Sequence, residues 1–169
     1  MPNNQKNNDD IGRIFLGIDP GTHRLGYGAV VFKRGKFGLI KQGVLEIKNK
    51  GYTPGQLIDI YDTVSSLIDE ISPDEVAVEK LFFSKNQTTA MTVAEARGVI
   101  LLAAAKKSIK ISEFTPNTVK QSVSGYGSAD KKSVLKMISI ILGLKDFKPI
   151  DDASDALAIA ITAALLGRY

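Results

Sequence analysis

Three strand-like runs stand back to back near the start of the chain, and only after them does the hydrophobic period lengthen to that of a helix. Arg13–Asp19 (RIFLGID) is a short apolar run that ends on an acid. Gly26–Lys33 and Lys36–Ile47 follow, with Gly35 between them as a hairpin turn. Thr53-Pro54-Gly55 then breaks the chain. Leu57, Ile60, Tyr61, Val64, Leu67, Ile68 and Ile71 recur at helical spacing until Pro73 ends the pattern. From there strands and helices alternate. Glu75–Glu79 (EVAVE) reads as a strand, Thr88–Lys107 as an alanine-rich helix, and Lys110–Phe114 as a further strand. Thr115-Pro116 reads as a helix start, with proline at the first helical position. The Gly-rich loop Ser124–Ser128 precedes a helix over Asp130–Leu142, and the last helix covers Asp151–Leu166. Hairpin-linked strands followed by alternating strands and helices predict an α/β fold, a mixed sheet covered by helices. Acids that end strands of such a sheet lie at its edge, where sites usually sit.

The chain has 169 residues, enough for one domain with a substantial core. Residues 1–12 are polar and Asn-rich and read as a disordered tail, leaving 13–169 as a single domain. The opening MPNNQKNNDD lacks the apolar run of a signal peptide. The apolar run Ala156–Leu166 is too short to cross a membrane. There is no cysteine, which excludes disulfides and thiolate metal sites; a metal would need oxygen ligands or His23. These features suit a cytoplasmic protein. The net charge of +4 leans toward a polyanionic partner.

Four carboxylates stand out by placement. Asp19 ends the first strand ahead of Pro20-Gly21, and Glu79 ends the fourth. Asp152 and Asp155 are three residues apart at the start of the last helix and share a face, with Asp151 beside them. Each has a plainer reading. Asp19 suits a turn before Pro-Gly, and an acid-rich first turn complements the helix dipole. Glu79 fits a plain reading less well, because it follows Val76 and Val78 in a strand and acids are rarely buried unpaired. If the four met around one point, their repulsion would call for cations, and oxygen ligands select hard ions such as Mg²⁺ or Mn²⁺.

Gly17-Ile18-Asp19-Pro20-Gly21-Thr22 with Gly26-Tyr27-Gly28 resembles the opening of the RuvC-type crossover (Holliday) junction endodeoxyribonucleases. Glu79 with Phe82 and Lys85-Asn86 is similar to that family's second acidic segment, and Ala94-Glu95-Ala96-Arg97-Gly98-Val99 to its central helix. Val119-Lys120-Gln121, Gly125-Tyr126-Gly127-Ser128-Ala129 and Lys131 resemble its basic segment. Asp152-Ala153-Ser154-Asp155-Ala156-Leu157-Ala158-Ile159-Ala160 resembles its closing motif. The likeness runs in order from about Ile14 to Thr162, and its five segments together are specific where GIDPG alone is not.

The resemblance implies an RNase H-like fold with a five-stranded mixed sheet. It implies a homodimer that resolves four-way junctions by two symmetric nicks during recombination and repair, alongside the RuvA and RuvB branch-migration proteins. Asp19, Glu79, Asp152 and Asp155 fall on the family's four metal-binding, catalytic acids. In some members histidine stands where this chain has Asp152. Phe82 falls on an aromatic that contacts DNA at the junction, and Lys120 and Lys131 on basic DNA contacts. Lys132 and Lys136 extend that basic cluster, whose plain reading is a solvated face; beside a nuclease site, phosphate contact is the better reading for the cluster. The expected chemistry is phosphodiester hydrolysis with two Mg²⁺ ions, Mn²⁺ being able to substitute. Asp19 would bridge the ions, Glu79 and Asp155 would complete one each, and Asp152 would support them or orient the water. The alternatives are another RNase H-fold nuclease, a noncatalytic junction binder with no need of four placed acids, and a kinase-like ATPase, which needs a longer, duplicated chain.

Overall fold

A computed structural model describes residues 12–49, 54–80 and 87–167, and for residues 87–89 the backbone alone. The tail expected at 1–12 lies outside the described residues except for Gly12, as do Phe82, Lys85 and Asn86.

Among the described residues, five strands and five helices follow in the expected order: β1 (Arg13–Asp19), β2 (Arg24–Lys33), β3 (Lys36–Glu46), α1 (Pro54–Ile71), β4 (Glu75–Glu79), α2 (Gln87–Lys106), β5 (Lys110–Phe114), α3 (Pro116–Ser124), α4 (Lys131–Ile141) and α5 (Asp151–Leu166). β2 begins two residues earlier than the sequence suggests. Asp130 caps α4 instead of belonging to it, its side chain accepting from the Ser133 N–H at 2.7 Å. The hairpin between β2 and β3 turns through Arg34 and Gly35, both at positive φ (49° and 78°), the conformation that matches the twist of the flanking strands. Thr115 caps α3 by accepting from the Thr118 N–H, with Pro116 at the first helical position.

The strands form one mixed sheet in the order β3-β2-β1-β4-β5. β1 is antiparallel to β2 and parallel to β4, and β4 is parallel to β5. Hairpin connections suffice for the antiparallel pairs, whereas α1 and α2 carry the parallel crossovers. Alternation along β1 sends Leu16 and Ile18 to one face, where they meet Ile60, Val64 and Leu67 of α1 and Ile100 of α2. Phe15 points to the other face, toward α3, α4 and α5. The result is three layers, with helices on both sides of the sheet.

α5 has ten consecutive or near-consecutive buried residues, from Ala153 to Ala164, and is apolar nearly all round. It lies between the sheet and the pair α3 and α4, the environment that such a helix requires. It also sits unusually close to the strands. A Cβ on Gly17 would overlap the carbonyl oxygen of Ala156, and one on Gly26 would overlap that of Asp152. These glycines let the first turns of α5 rest on the ends of β1 and β2. Among the described residues no helix is long and apolar enough to cross a membrane.

Candidate active site

Pairing of β1 with β4 brings the first two acids together. The parallel register runs through Ile18↔Val78, so Asp19 and Glu79 are the next residues on two adjacent strands. α5 supplies the other two from above. The N-cap position, Ile150, offers no side-chain cap, and Asp151 and Asp152 occupy the first turn. Three elements distant in sequence thus place four carboxylates at one end of the sheet.

The electrostatics record that convergence. The Asp19 carboxyl is pushed up to about 7 from 3.8, first by burial and then by Asp155, Glu79 and Asp152 in turn, with Lys131 opposing. Glu79 is also raised, by burial and then by Asp155, while Lys120 and Lys131 oppose the shift. Burial favours the neutral acid, and like charges close by act in the same direction.

The two α5 acids have each taken a cation. Arg24 Nε lies 2.6 Å from Asp152 Oδ2, and Lys131 Nζ lies 3.2 Å from Asp155 Oδ2. The Lys131 ammonium is raised above its ordinary range by that hydrogen bond and by the Asp155 charge. Among the described residues no three Asp, Glu or His side chains are arranged to hold a single metal ion. Four mutually repelling carboxylates spread unless positive charge stands between them, and here Arg24 and Lys131 hold two of the four.

Asp19, Glu79 and Asp155 line a cleft of about 340 Å³ together with Lys120, Lys131 and Lys132. Thus three of the four sequence-predicted acids and the three predicted lysines share one cleft. Asp152 faces a neighbouring depression formed by Pro20, Gly21, Thr22, His23 and Arg24, which Asp19 also borders. Asp19 therefore stands between the two hollows. Beyond the cleft, Lys132 and Leu135 continue into an open groove with Lys136 and Lys145.

Two contributors to the site, and one buried acid outside it, escaped the sequence reading. Arg24 carried no signal of its own; its partner is 128 positions away in the chain. Arg97 lies in a segment singled out for its resemblance, yet its function appears only in space: its Nε donates to the Glu79 carbonyl oxygen at 3.0 Å, and its guanidinium pairs with Glu113. Glu75 shares the strand parity of Glu79 and is the more deeply buried of the two. It lies at the far end of the sheet, where Arg13, Lys110 and Ser112 satisfy it at 3.3, 2.9 and 2.5 Å. That cluster ties the starts of β1, β4 and β5 together, away from the cleft.

Known proteins share this architecture. The family model of the crossover junction endodeoxyribonuclease RuvC matches residues 15–163. A RuvC of Alkaliphilus metalliredigens is 49% identical over 156 residues, covering 92% of this chain and 95% of its own length. One of Chloroflexus aurantiacus is 46% identical over 158 residues, covering 91% and 96% respectively. The solved structure of Thermus thermophilus RuvC in complex with Holliday junction substrate superposes with a TM-score of 0.85 at 34% identity, over 92% of this chain and 95% of that one. The yeast mitochondrial Holliday junction resolvase Ydc2 superposes with a TM-score of 0.69 at 15% identity, over 92% and 80%, a likeness of fold.

Proposed function

This chain belongs to the RuvC family of crossover junction endodeoxyribonucleases, and from that premise we propose that the four clustered acids are the site at which it cuts DNA. It has the family's RNase H-like fold, and it is a hydrolase that resolves Holliday junctions in recombination and repair. The observation that carries the site is geometric: Asp19, Glu79 and Asp155, from three separate elements, line one cleft with three lysines, and Asp19 also borders the hollow that Asp152 faces. Such concentrated negative charge serves no packing purpose and suits a site for divalent cations.

The donor set fits Mg²⁺, with Mn²⁺ able to substitute: it is all carboxylate, and its charge is only partly offset by Arg24 and Lys131. Asp19, Glu79, Asp152 and Asp155 would hold two ions. Bound there, such ions supply an activated water and stabilise the departing 3′ oxygen. The chain's own groups do the rest. Glu79 and Asp19 are held at the ends of rigid strands, so their carboxylates need little reorganisation. Lys120, Lys131 and Lys132 line the same cleft and neutralise phosphates. Lys131, which holds Asp155 here, would be free for the DNA backbone once that acid held a cation. Phe82, three residues beyond Glu79 and outside the described residues, is carried as a DNA contact by its family position alone.

Resolution takes two opposed nicks, and the described residues of one chain hold one such acidic cleft, so the acting species is a C2 homodimer. α2 is its interface. Gly98 is exposed, and a Cβ there would meet no atom within 4 Å. Met91 and Leu102 are exposed on the same helix, at 64% and 52%. The buried Ala96, Ala103 and Ala104 face the core, so the sheet does not account for Gly98. RuvA and RuvB as partners, a single domain over 13–169 and a cytoplasmic location complete the reading.

A cleavage panel tests it. Four-way junction, linear duplex and RNA–DNA hybrid are incubated with Mg²⁺, with Mn²⁺ and with chelator. Paired nicks confined to the junction and dependent on the metal are expected. Asp19→Asn, Glu79→Gln and Asp155→Asn should each abolish cutting while junction gel shifts persist; normal cutting by two of them would sink the site.

A further inference from the structure

Tyr126 is the most exposed large hydrophobic side chain among the described residues, at 73%. Its loop is nevertheless well fastened. Gly125, at φ 83°, caps α3 with its N–H on the Gln121 carbonyl. The Tyr126 carbonyl accepts from Ser124 Oγ and from the Ala129 N–H, both at 3.2 Å. Gly127 faces Asn117 at the start of α3, where a Cβ would sit 3.7 Å from the Asn117 carbonyl oxygen. The backbone around Tyr126 is thus held by the protein while the ring is left to water.

The surroundings say what the ring meets. The loop joins α3 to α4, and both helices wall the acidic cleft. Pro116, Val119 and Lys120 come from one helix, and Lys131 and Lys132 from the other. Lys120 is tied to the base of the loop, since its carbonyl accepts from Ser124 Oγ at 2.6 Å. An aromatic ring on a fixed loop between two cleft lysines combines the two elements of a nucleic-acid stacking platform: cations for the phosphates and a π face for a base. Stacking needs a base that is free of its pair, and the centre of a four-way junction supplies one at low cost.

We infer that Tyr126 stacks on an unpaired nucleobase of the junction beside the cleft, and so helps to select the junction over duplex and the point at which it is cut. This rests on the reading of the cleft as the junction-cutting site. The ring's π face does the work, and its hydroxyl does not.

The chain has no tryptophan, so Tyr126→Trp installs a single indole reporter on an exposed position. The full-length variant is titrated in EDTA, where no strand is cut, with a synthetic four-way junction and with linear duplex of equal length. Quenching of the indole emission by the junction, and far less by duplex at saturating binding, is the expected result. Tyr126→Ala should weaken junction binding by roughly 5- to 150-fold, Tyr126→Phe should bind as wild type, and Tyr126→Ala should spread its cuts over more positions. Unchanged emission at saturation, wild-type junction affinity in Tyr126→Ala, or equal loss in Tyr126→Phe and Tyr126→Ala would each overturn the proposal. So would a shift of Tyr126→Ala from dimer to monomer in sedimentation, which would place the ring at a protein contact. If wild type itself binds junction no better than duplex, the reading of the cleft fails and the proposal falls with it; if only the Tyr126 arms fail, the cleft stands without this residue.

Discussion

Arg97 and Glu79 are joined through the backbone: the guanidinium Nε on α2 donates to the Glu79 carbonyl oxygen at 3.0 Å while Glu113 on β5 holds the same guanidinium. The Arg97 side chain is only 17% exposed, and burial pulls it below its ordinary range. A desolvated arginine spent on one carbonyl and one carboxylate fixes where the last residue of β4 ends. Arg97 is therefore a positioning residue for Glu79. It also links the cleft end of β4 to the helix proposed as the dimer face.

Replacing Arg97 by Gln should lower cutting and the apparent affinity for Mg²⁺ by roughly 10- to 100-fold, the usual effect of losing a group that orients a ligand. Junction affinity should be unchanged, and Arg97→Lys should recover part of the loss. Single-turnover cleavage against Mg²⁺ concentration, with gel shifts in parallel, separates these. A wild-type Mg²⁺ midpoint in Arg97→Gln would remove the positioning role.

The acidic cluster predicts a pH dependence of definite sign. Folded Asp19 holds its proton to about 7, whereas the unfolded chain releases it near 3.8. Between those values the folded state binds more protons, so stability falls as pH rises from about 4 to about 7, and Glu79, also raised, acts in the same direction. Urea titrations of metal-free protein at several pH values should show that decline, and Asp19→Asn should flatten it. Mg²⁺ should raise the unfolding midpoint more at pH 8 than at pH 5, because ligand carboxylates must be deprotonated.

Lys120 and Lys131 should each contribute to salt-dependent binding. Lys120→Ala and Lys131→Ala are expected to weaken junction binding and to reduce the log–log salt slope by up to about 1 each. The two differ in one respect. Lys131→Ala also leaves Asp155 without its cation, so at pH 7 it should raise the Mg²⁺-free pKa of the cluster further, visible as a steeper pH dependence of metal binding by calorimetry. Equal salt slopes in wild type and both variants would return the lysines to an ordinary solvated surface.

Gly98 offers a test of the dimer with opposite signs for the two cases. On a solvent-facing helix surface, Gly98→Ala should stabilise the protein by about 1 kcal/mol through helix propensity alone. Against a close partner helix, a larger side chain should separate the chains, so Gly98→Leu is expected to shift micromolar protein from dimer to monomer in sedimentation with its helical content intact. Mixing wild type with excess Asp19→Asn chains should then turn linear product from a cruciform plasmid into nicked circle. Linear product in proportion to wild-type chains would mean that each chain acts alone.

The sequence by itself determined the elements and their order. Strand and helix periods are local properties, and the breaks at Pro54, Pro73 and Pro116 are steric, so β1 through α5 were readable to within a residue or two. It also marked Asp19, Glu79, Asp152 and Asp155, because each stands at the end of a strand or the start of a helix. Whether those four meet was decided by packing. Parallel pairing of β1 with β4 sets Asp19 beside Glu79, and the bare backbones of Gly17 and Gly26 bring α5 down onto them. The cations were hidden for the same reason: Arg24 reaches Asp152 and Arg97 reaches Glu79 only once distant segments touch. EVAVE shows two acids of equal parity, and only the fold distinguishes them. Glu75 is neutralised in the sheet by Arg13 and Lys110, while Glu79 opens onto a cleft where charge is left to be matched. A local pattern carries no information about the electric field of residues a hundred positions away, and that field is what separates a buried, neutralised acid from one that opens onto the cleft.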